Sequence, residues 1–484
     1  MYQHGISVLE NPTPITPPIN STAGLQVVVG TAPINMSDDM SKAVNVPFLA
    51  NSWGEAIKRL GYSSDFENYS LCQSMMASFQ LIGVGPVVFI NVLDPAVHKE
   101  SVAALPFPVK DKEAKVNVFG VLLDSLVVKN TGGTTTYVKN TDYVVAFDKD
   151  GYPIISLLDT GAAAAEVNLT VNFDKLDPSA VTEEDIIGGY DVTYNTYSGL
   201  ECIQQVYPKL GLVPGIVIAP GWSKKPTVAA VMRAKSKGIN GAFNCINIAD
   251  VDTASVTTYQ DVPEWKNLNG YNDPSTILAY PKVKSGEYVF DYSAVLAAST
   301  AYLDAQNDDV PYKSPSNKSL PITGTVNEDG SEVFLDQSQA NYLNGAGVVT
   351  ALNLNGWRTW GNNTAAYPST TDPKDRFIAI KRVFFWWGNT FILTYQQKVD
   401  DPTNTRLIES IVDSENIRAN GFQAQGKIAG AKMEFRKELN PITDILNGKI
   451  RFIQKIAAFP PAEHIVNELE FDPNMLSASI FGGE

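Results

Sequence analysis

The sequence is poor in the residues that carry chemistry. Its 484 residues include three histidines, His4, His98 and His464, and no two stand at metal-ligand spacing. No GxSxG, Walker A, HExxH or GxGxxG pattern occurs. Ser223, in "IAPGWSKK", closes a predicted strand but has no glycine elbow around it, so it reads as a turn residue. Three cysteines, Cys72, Cys202 and Cys245, are odd in number and widely spaced, which excludes a CxxC pair. The apolar runs around Cys202 and Cys245 predict buried, reduced thiols. Long hydrophobic runs are missing too. The richest, Phe79–Leu93, is broken by Gly83, Gly85, Pro86 and Asn91 and is too short to cross a bilayer. The opening residues have no basic segment leading into an apolar one, so no secretion signal is expected. Basic residues are outnumbered 37 to 52, giving a net charge of −15. Such a surface repels nucleic acid and anionic membrane, and neither is expected as a direct partner. No catalytic, cofactor or metal site is predicted.

What is present is the pattern of a large folded chain, with 44% apolar and 18% charged residues. Its length calls for several domains. Residues 25–98 alternate strand and helix: "LQVVVGTA" and "PVVFINV" are apolar strands, and Ser52 with Glu55 makes a capping box before "WGEAIKRL". Leu71, Met75, Phe79 and Ile82 recur at helical spacing. Residues 191–365 resume the pattern with "GIVIAPG", "KPTVAAVMRAKSKG", "GAFNCINIAD", "TILAYP" and "YSAVLAASTAYLDAQN", then two strands around Asn355-Gly356. Between these stretches, residues 99–190 are rich in Thr, Val and Asp and read as an inserted all-β domain.

Residues 366–463 read as an α+β domain. Phe377, Ile380, Phe384, Trp387 and Phe391 predict one long buried helix. A second, over Arg406–Ala419, turns Leu407, Ile408, Ile411 and Val412 inward, and Glu409, Asp413, Glu415 and Arg418 outward. The strands "AKMEFRK" (431–437) and "KIRFIQKI" (449–456) follow. Trp357, Trp360, Trp386 and Trp387 read as a packed aromatic core rather than a ligand platform. The fold class is thus multidomain α/β: a core, an inserted β domain, a C-terminal α+β domain and two extended terminal strand arms.

The arms, residues 1–24 and 464–484, are the informative feature. "HGISVLE" is a strand followed by prolines 12, 14, 17 and 18; "HIVNELEFD" is a strand preceded by Pro460-Pro461. Each pairs within its own domain or adds to a sheet edge on another molecule. Strand donation would give a polymer whose linkers let subunits move without separating.

Several segments together resemble the tail sheath proteins of contractile phage tails and R-type bacteriocins. They are "HGISVLE", "SPSNKSLPITG" (314–324), "YLNGAGVVTALNLNGWRTWGNNT" (342–364) and "IRFIQKIAAFPPAEHIVNELEF" (450–471). The resemblance implies a virion or bacteriocin-particle subunit, assembled in the bacterial cytoplasm. Such subunits stack with copies of themselves as hexameric rings around an inner tube. They meet baseplate and tail terminator proteins and contract to drive the tube through a target envelope. By position, Gly5, Ile6, Ser7, Val8 and Leu9, and Ile465, Val466, Asn467, Leu469 and Phe471, would be the donated strands. Met433, Phe435, Ile450, Phe452 and Ile453 would receive them. Arg406, Glu409, Asp413 and Arg418 would face the tube. The competing readings are another polymerising surface-layer or capsid-type protein, and an α/β hydrolase.

Overall fold

The computed structural model describes residues 19–20 and 23–482. Eight strands form the central sheet: β1 (Gln26–Gly30), β2 (Phe48–Ala50), β3 (Val87–Asn91), β4 (Ile216–Ile218), β5 (Ile246–Asp250), β6 (Thr276–Ala279), β7 (Val348–Asn353) and β8 (Trp357–Trp360). Their order is β8-β7-β6-β5-β4-β1-β3-β2. The six inner strands run parallel, and β2 and β8 close the edges antiparallel. Every residue of β1, β3, β4 and β5 is buried, which is why these strands read as apolar runs without alternation. The β7–β8 turn is the predicted one, with Asn355 at φ 53° and Gly356 at φ 121°.

Helix α1 (Trp53–Leu60) starts where the capping pair predicts: Ser52 Oγ accepts from Glu55 N at 3.3 Å. The Glu55 carboxylate reaches one residue further back, to Asn51 N at 2.9 Å. The segment carrying Leu71, Met75, Phe79 and Ile82 is helical over Ser70–Met75 and widens into a π turn over Met76–Ile82. Helix α2 (Pro226–Lys235) crosses between β4 and β5. Helix α3 (Tyr292–Ala305) is buried almost all round, and its alanines let neighbouring elements approach closely.

Residues 99–176 form two three-stranded antiparallel sheets around a separate core that includes Phe107, Val128, Ile155, Val171 and Phe173. One contains Lys99–Pro108, Asn168–Leu176 and Val127–Asn130; the other contains Glu113–Lys115, Pro153–Leu157 and Tyr143–Phe147. Lys99–Pro108 is a strand that sequence pattern does not announce. Most of its side chains are exposed, and no apolar face marks it.

Helix α4 (Ile378–Tyr395) carries the predicted apolar stripe, with Ile380 and Trp387 buried and Phe384 and Phe391 half-buried. It is fastened to α3 by a buried fork: Arg382 Nη1 donates to Asp304 Oδ1 at 2.9 Å, and Nη2 donates to Oδ2. Helix α5 (Thr405–Ala424), strands β9 (Gly430–Phe435) and β10 (Phe452–Ala457), and helix α6 (Pro473–Phe481) complete the chain.

Candidate functional site

β9 and β10 form a two-stranded antiparallel sheet, with Met433 opposite Gln454 and Phe435 opposite Phe452. So small a sheet is marginal by itself. It is held by α4 and α5 through a core of Trp387, Ala419 and Ile428, flanked by Trp386, Phe422, Ala431 and Ile456. Trp386 and Trp387 each meet Phe422 edge-on, at 5.3 and 5.7 Å between ring centroids. Trp357 and Trp360 sit apart on β8, so the four tryptophans form no single cluster.

The inward face of α5 differs from its predicted pattern. Ile411, Glu415 and Ala419, at successive i+4 positions, are its buried residues. Glu415 was expected to point outward. Its side chain is 1% exposed and accepts from Arg418 Nη2 at 2.7 Å and Gln454 Nε2 at 2.9 Å. Arg418, expected to face a tube, folds inward over the Trp387 ring at 4.2 Å. The charge pair and the ring contact make these two polar side chains part of the packing. Arg406, Glu409 and Asp413 are exposed on the opposite face.

Two asparagines fix the sheet. Asn416 on α5 bonds both backbone groups of Met433: Oδ1 accepts from its N–H at 2.8 Å and Nδ2 donates to its C=O at 3.2 Å. Asn440 seals the open end. Its Oδ1 accepts from Arg451 N at 2.7 Å, and its Nδ2 donates to Arg451 O at 2.9 Å and Arg436 O at 2.8 Å. Of the predicted receiving residues, Met433, Phe435, Phe452 and Ile453 lie in this sheet and Ile450 just before β10.

Beyond β10 the chain leaves the body. Arg376 marks the root, donating to Glu463 Oε2 at 2.6 Å. From 464 to 482 every residue is exposed. Ile465, Val466, Leu469 and Phe471 are 83%, 65%, 88% and 79% exposed. Among the described residues, the predicted strand over 464–471 makes no ladder. It ends in α6, which pattern reading missed. The signal was Asp472-Pro473: Asp472 Oδ1 caps the helix, accepting from Asn474 N at 2.8 Å, with Pro473 at the first helical position. The other predicted donor, Gly5–Leu9, lies outside the described residues.

At the carboxyl ends of β4 and β5, buried polar side chains bond one another. Asp250 accepts from Ser223 Oγ at 3.1 Å, Ser293 N at 2.8 Å and Ser293 Oγ at 2.5 Å, all buried. Burial and the nearby Asp291 carboxylate push Asp250 up to about 7. Ser223 is a buried anchor for β5, and its backbone carbonyl accepts from Tyr271 Oη at 2.8 Å. Burial pushes each of Cys72, Cys202 and Cys245 up to about 12. His98 Nδ1 accepts from Asp94 N at 3.0 Å, and its Nε2 lies 3.6 Å from Asp185. Among the described residues no group of acidic, histidine or cysteine side chains has metal-binding geometry, and no helix is long and apolar enough to cross a membrane.

No family model matches the chain. The tail sheath protein of Burkholderia phage BcepMu is 28% identical over 494 aligned residues, covering 98% of both chains. That of Escherichia phage P2 is 24% identical over 59% of this chain and 70% of its own. The fold matches a chain in the anti-feeding prophage baseplate, determined by cryo-EM, with TM-score 0.59 and 15% identity over 97% of this chain and 98% of that one. It also matches a chain of the PVC sheath complex of an extracellular contractile injection system in its contracted state, with TM-score 0.57 and 14% identity over 98% and 99%. The similarity spans core, insertion and C-terminal region together. Over nearly its whole length the chain is thus similar to tail sheath proteins of contractile phage tails, which are structural proteins rather than enzymes, and it shares the fold of chains in related contractile injection systems.

Proposed function

We propose that this chain polymerises as hexameric rings stacked around an inner tube, and that the stack shortens to drive the tube through a target envelope. The observation that carries the reading is the C-terminal arm: an unpaired apolar segment leaving a body that holds a two-stranded sheet. Support also comes from relatives. The similar anti-feeding prophage chain belongs to a baseplate treated as 6-fold symmetric, and another match is a helical sheath in a contracted state. The partners on this reading are copies of the same chain, the inner tube protein, and the baseplate and terminator proteins at the two ends. Assembly takes place in the bacterial cytoplasm.

Strand exchange fits the energetics only when side chains are buried with it. Each backbone bond contributes about 0.5–1.5 kcal/mol net. Ordering each arm residue costs about 1–2 kcal/mol. Hydrogen bonds alone therefore fail to hold an arm. Burying Ile465, Val466, Leu469 and Phe471 adds about 1.5–3 kcal/mol each. Repetition around a ring adds effective concentration. Contraction then draws on contacts between subunits that are better satisfied in the shorter stack. Arg406, Glu409 and Asp413 are the residues of α5 proposed to meet the tube. Gly5–Leu9 is proposed as a second donated strand.

The test is electron microscopy of the full-length chain, co-expressed with its tube and baseplate, beside chains lacking residues 1–20 or 464–484. Striated hollow tubes from the full chain and none from either truncation are expected. Tubes of normal length from both truncations overturn arm exchange. Persistent monomers of the full chain overturn the sheath assembly.

A further inference from the structure

Residues 190–197 fold as a small hairpin, with Tyr190–Asp191 paired antiparallel to Thr196–Tyr197. Asp191 Oδ1 stiffens its turn, accepting from Thr193 N at 2.7 Å and Tyr194 N at 3.1 Å. Tyr190 Oη donates to Asn195 Oδ1 at 2.7 Å, and its ring lies 4.7 Å from that of Tyr197. The stem closes at Gly188 and Gly199, both at positive φ, where a Cβ would collide with the facing backbone. Gly199 N donates to Asn45 Oδ1 at 2.9 Å, and Asn45 N donates at 2.7 Å to the carbonyl of Asn91, the last residue of β3. The hairpin is thus rooted at the carboxyl end of the parallel strands. Its tip holds Val192 and Tyr194 in solvent, 80% and 77% exposed. A tyrosine on a turn already ordered gives much contact area for little further loss of entropy.

At the amino end of the same strands lies an apolar cavity of about 330 Å³. Gly215 and Ile246, where β4 and β5 begin, border it, and Leu212, Phe385, Trp386 and Leu393 give it apolar surface. Residues 199–210 run from the hairpin to this end, so knob and pocket stand at opposite ends of the sheet. Arg382 is the one charged residue among those described around the cavity, and Asp304 neutralises it. The volume is at the low end of the roughly 300–1,000 Å³ of small-ligand pockets, which suits one aromatic side chain.

We infer that Tyr194, flanked by Val192, seats in this pocket of a second copy of the chain. The inference rests on the sheath assembly proposed above and adds a contact made by neither arm. Charge favours this pair of surfaces. Each copy carries −15, so copies approach best where neither presents a net charge. Residues 189–198 contain one acid and no base, and the Asp191 carboxylate is bound by backbone N–H groups. The phenol ring matches Phe385 and Trp386, and Thr390 supplies a hydroxyl for its polar tip. Position favours the pair too. A knob and a pocket at opposite ends of one chain make a heterologous, head-to-tail contact, which repeats into rings or helical stacks instead of closing as a two-fold dimer.

The experiment uses full-length chains and engineered cysteines, since Cys72, Cys202 and Cys245 are buried. Chains carrying Tyr194→Cys are co-expressed with chains carrying Leu393→Cys, together with the tube and baseplate, and the assembled tubes are mildly oxidised. Val167→Cys, exposed on the insertion, is the control partner. Linked dimers at Leu393, about tenfold or more over those at Val167, are expected. Linkage no greater at Leu393 than at Val167, within well-formed tubes, overturns the contact and leaves the sheath reading intact. Linkage of Leu393→Cys to Met475→Cys on α6 or to Ile15→Cys, in place of Tyr194→Cys, gives the pocket to an arm and also overturns it. Failure of the unmodified chain to assemble overturns the reading beneath it. A second measurement covers misfolding of the cysteine variants. Tyr194→Asp should lower tube yield about tenfold or more, with hydrogen exchange of the monomer unchanged, because the ring faces solvent there. Tyr194→Phe should keep most of the yield. Normal tubes from Tyr194→Asp, or equal loss from Tyr194→Phe, overturn burial of the ring.

Discussion

Replacing Arg382 with Met removes one half of the pair that fastens α4 to the core. Both members are almost fully buried, with side chains 3% and 1% exposed. Burial, with a smaller push from the Asp309 charge, raises the Asp304 pKa, and the Arg382 charge and hydrogen bonds oppose that. Met fills much of the volume of the arginine stem, so the loss is chiefly electrostatic. Breaking a buried pair by removing one partner costs about 3–5 kcal/mol. At about 1.4 kcal/mol per decade this is a roughly 140- to 4,000-fold increase in local opening. A chain with several cores does not unfold in one step, so the assay must be local. Hydrogen exchange of peptides covering 378–395 and 292–305 should accelerate by that factor at pH 7. The sign of the pH dependence follows. Without Arg382, the folded pKa of Asp304 rises further above its unfolded value. The variant's stability is then greatest in acid, below the unfolded pKa, and is lost as pH rises through the folded one. Adding Asp304→Leu removes the stranded charge and should recover most of the protection. A double variant as damaged as Arg382→Met alone would refute the electrostatic reasoning and leave lost packing as the cause.

Asn416→Ala leaves the Met433 amide and carbonyl without their partner, and should cost about 1–3 kcal/mol, read as faster exchange across β9 with β10 less affected. Asp250 has a folded pKa of about 7 against 3.8 for the ordinary carboxyl, so its contribution is full below about 4 and declines as pH rises to about 7. Ser223, Ser293, Asp291 and Lys282 surround it; Asp250→Asn should flatten that part of a thermal-stability profile. Leu469→Asp with Phe471→Asp changes only exposed side chains, and should leave monomer stability within about 0.5 kcal/mol while preventing tubes from forming.

The buried parallel strands were legible because helices on both faces make β1, β3, β4 and β5 mostly apolar, with Gln26, Asn91, Asn247 and Asp250 as buried polar exceptions. The Asn355-Gly356 hairpin was legible because few dipeptides adopt that turn. The α5 face was misread at Glu415 because polarity was taken for exposure. The i+4 series from Ile411 through Glu415 to Ala419 carried the correct answer, with Arg418 three residues on as the neutralising partner. Lys99–Pro108 stayed hidden because few of its side chains are buried. The capping of β9 depends on Asn416 and Met433, 17 residues apart, and no local pattern announces that meeting. The arm's apolar alternation was visible, and on the proposed exchange its partner is another copy, which one chain does not show.

The bond from Asn416 to Met433 also bears on how polymer growth is limited. An uncapped pair of strands is bivalent, and bivalent units joined edge to edge make ribbons without end, the geometry of pathological fibrils. Occupying the middle of one side with a helix hinders growth on that side. On the proposed exchange, links then form where tethered arms meet an open edge rather than wherever two sheets touch. One carboxamide, standing where another strand would bond, thus separates a machine part from an aggregate.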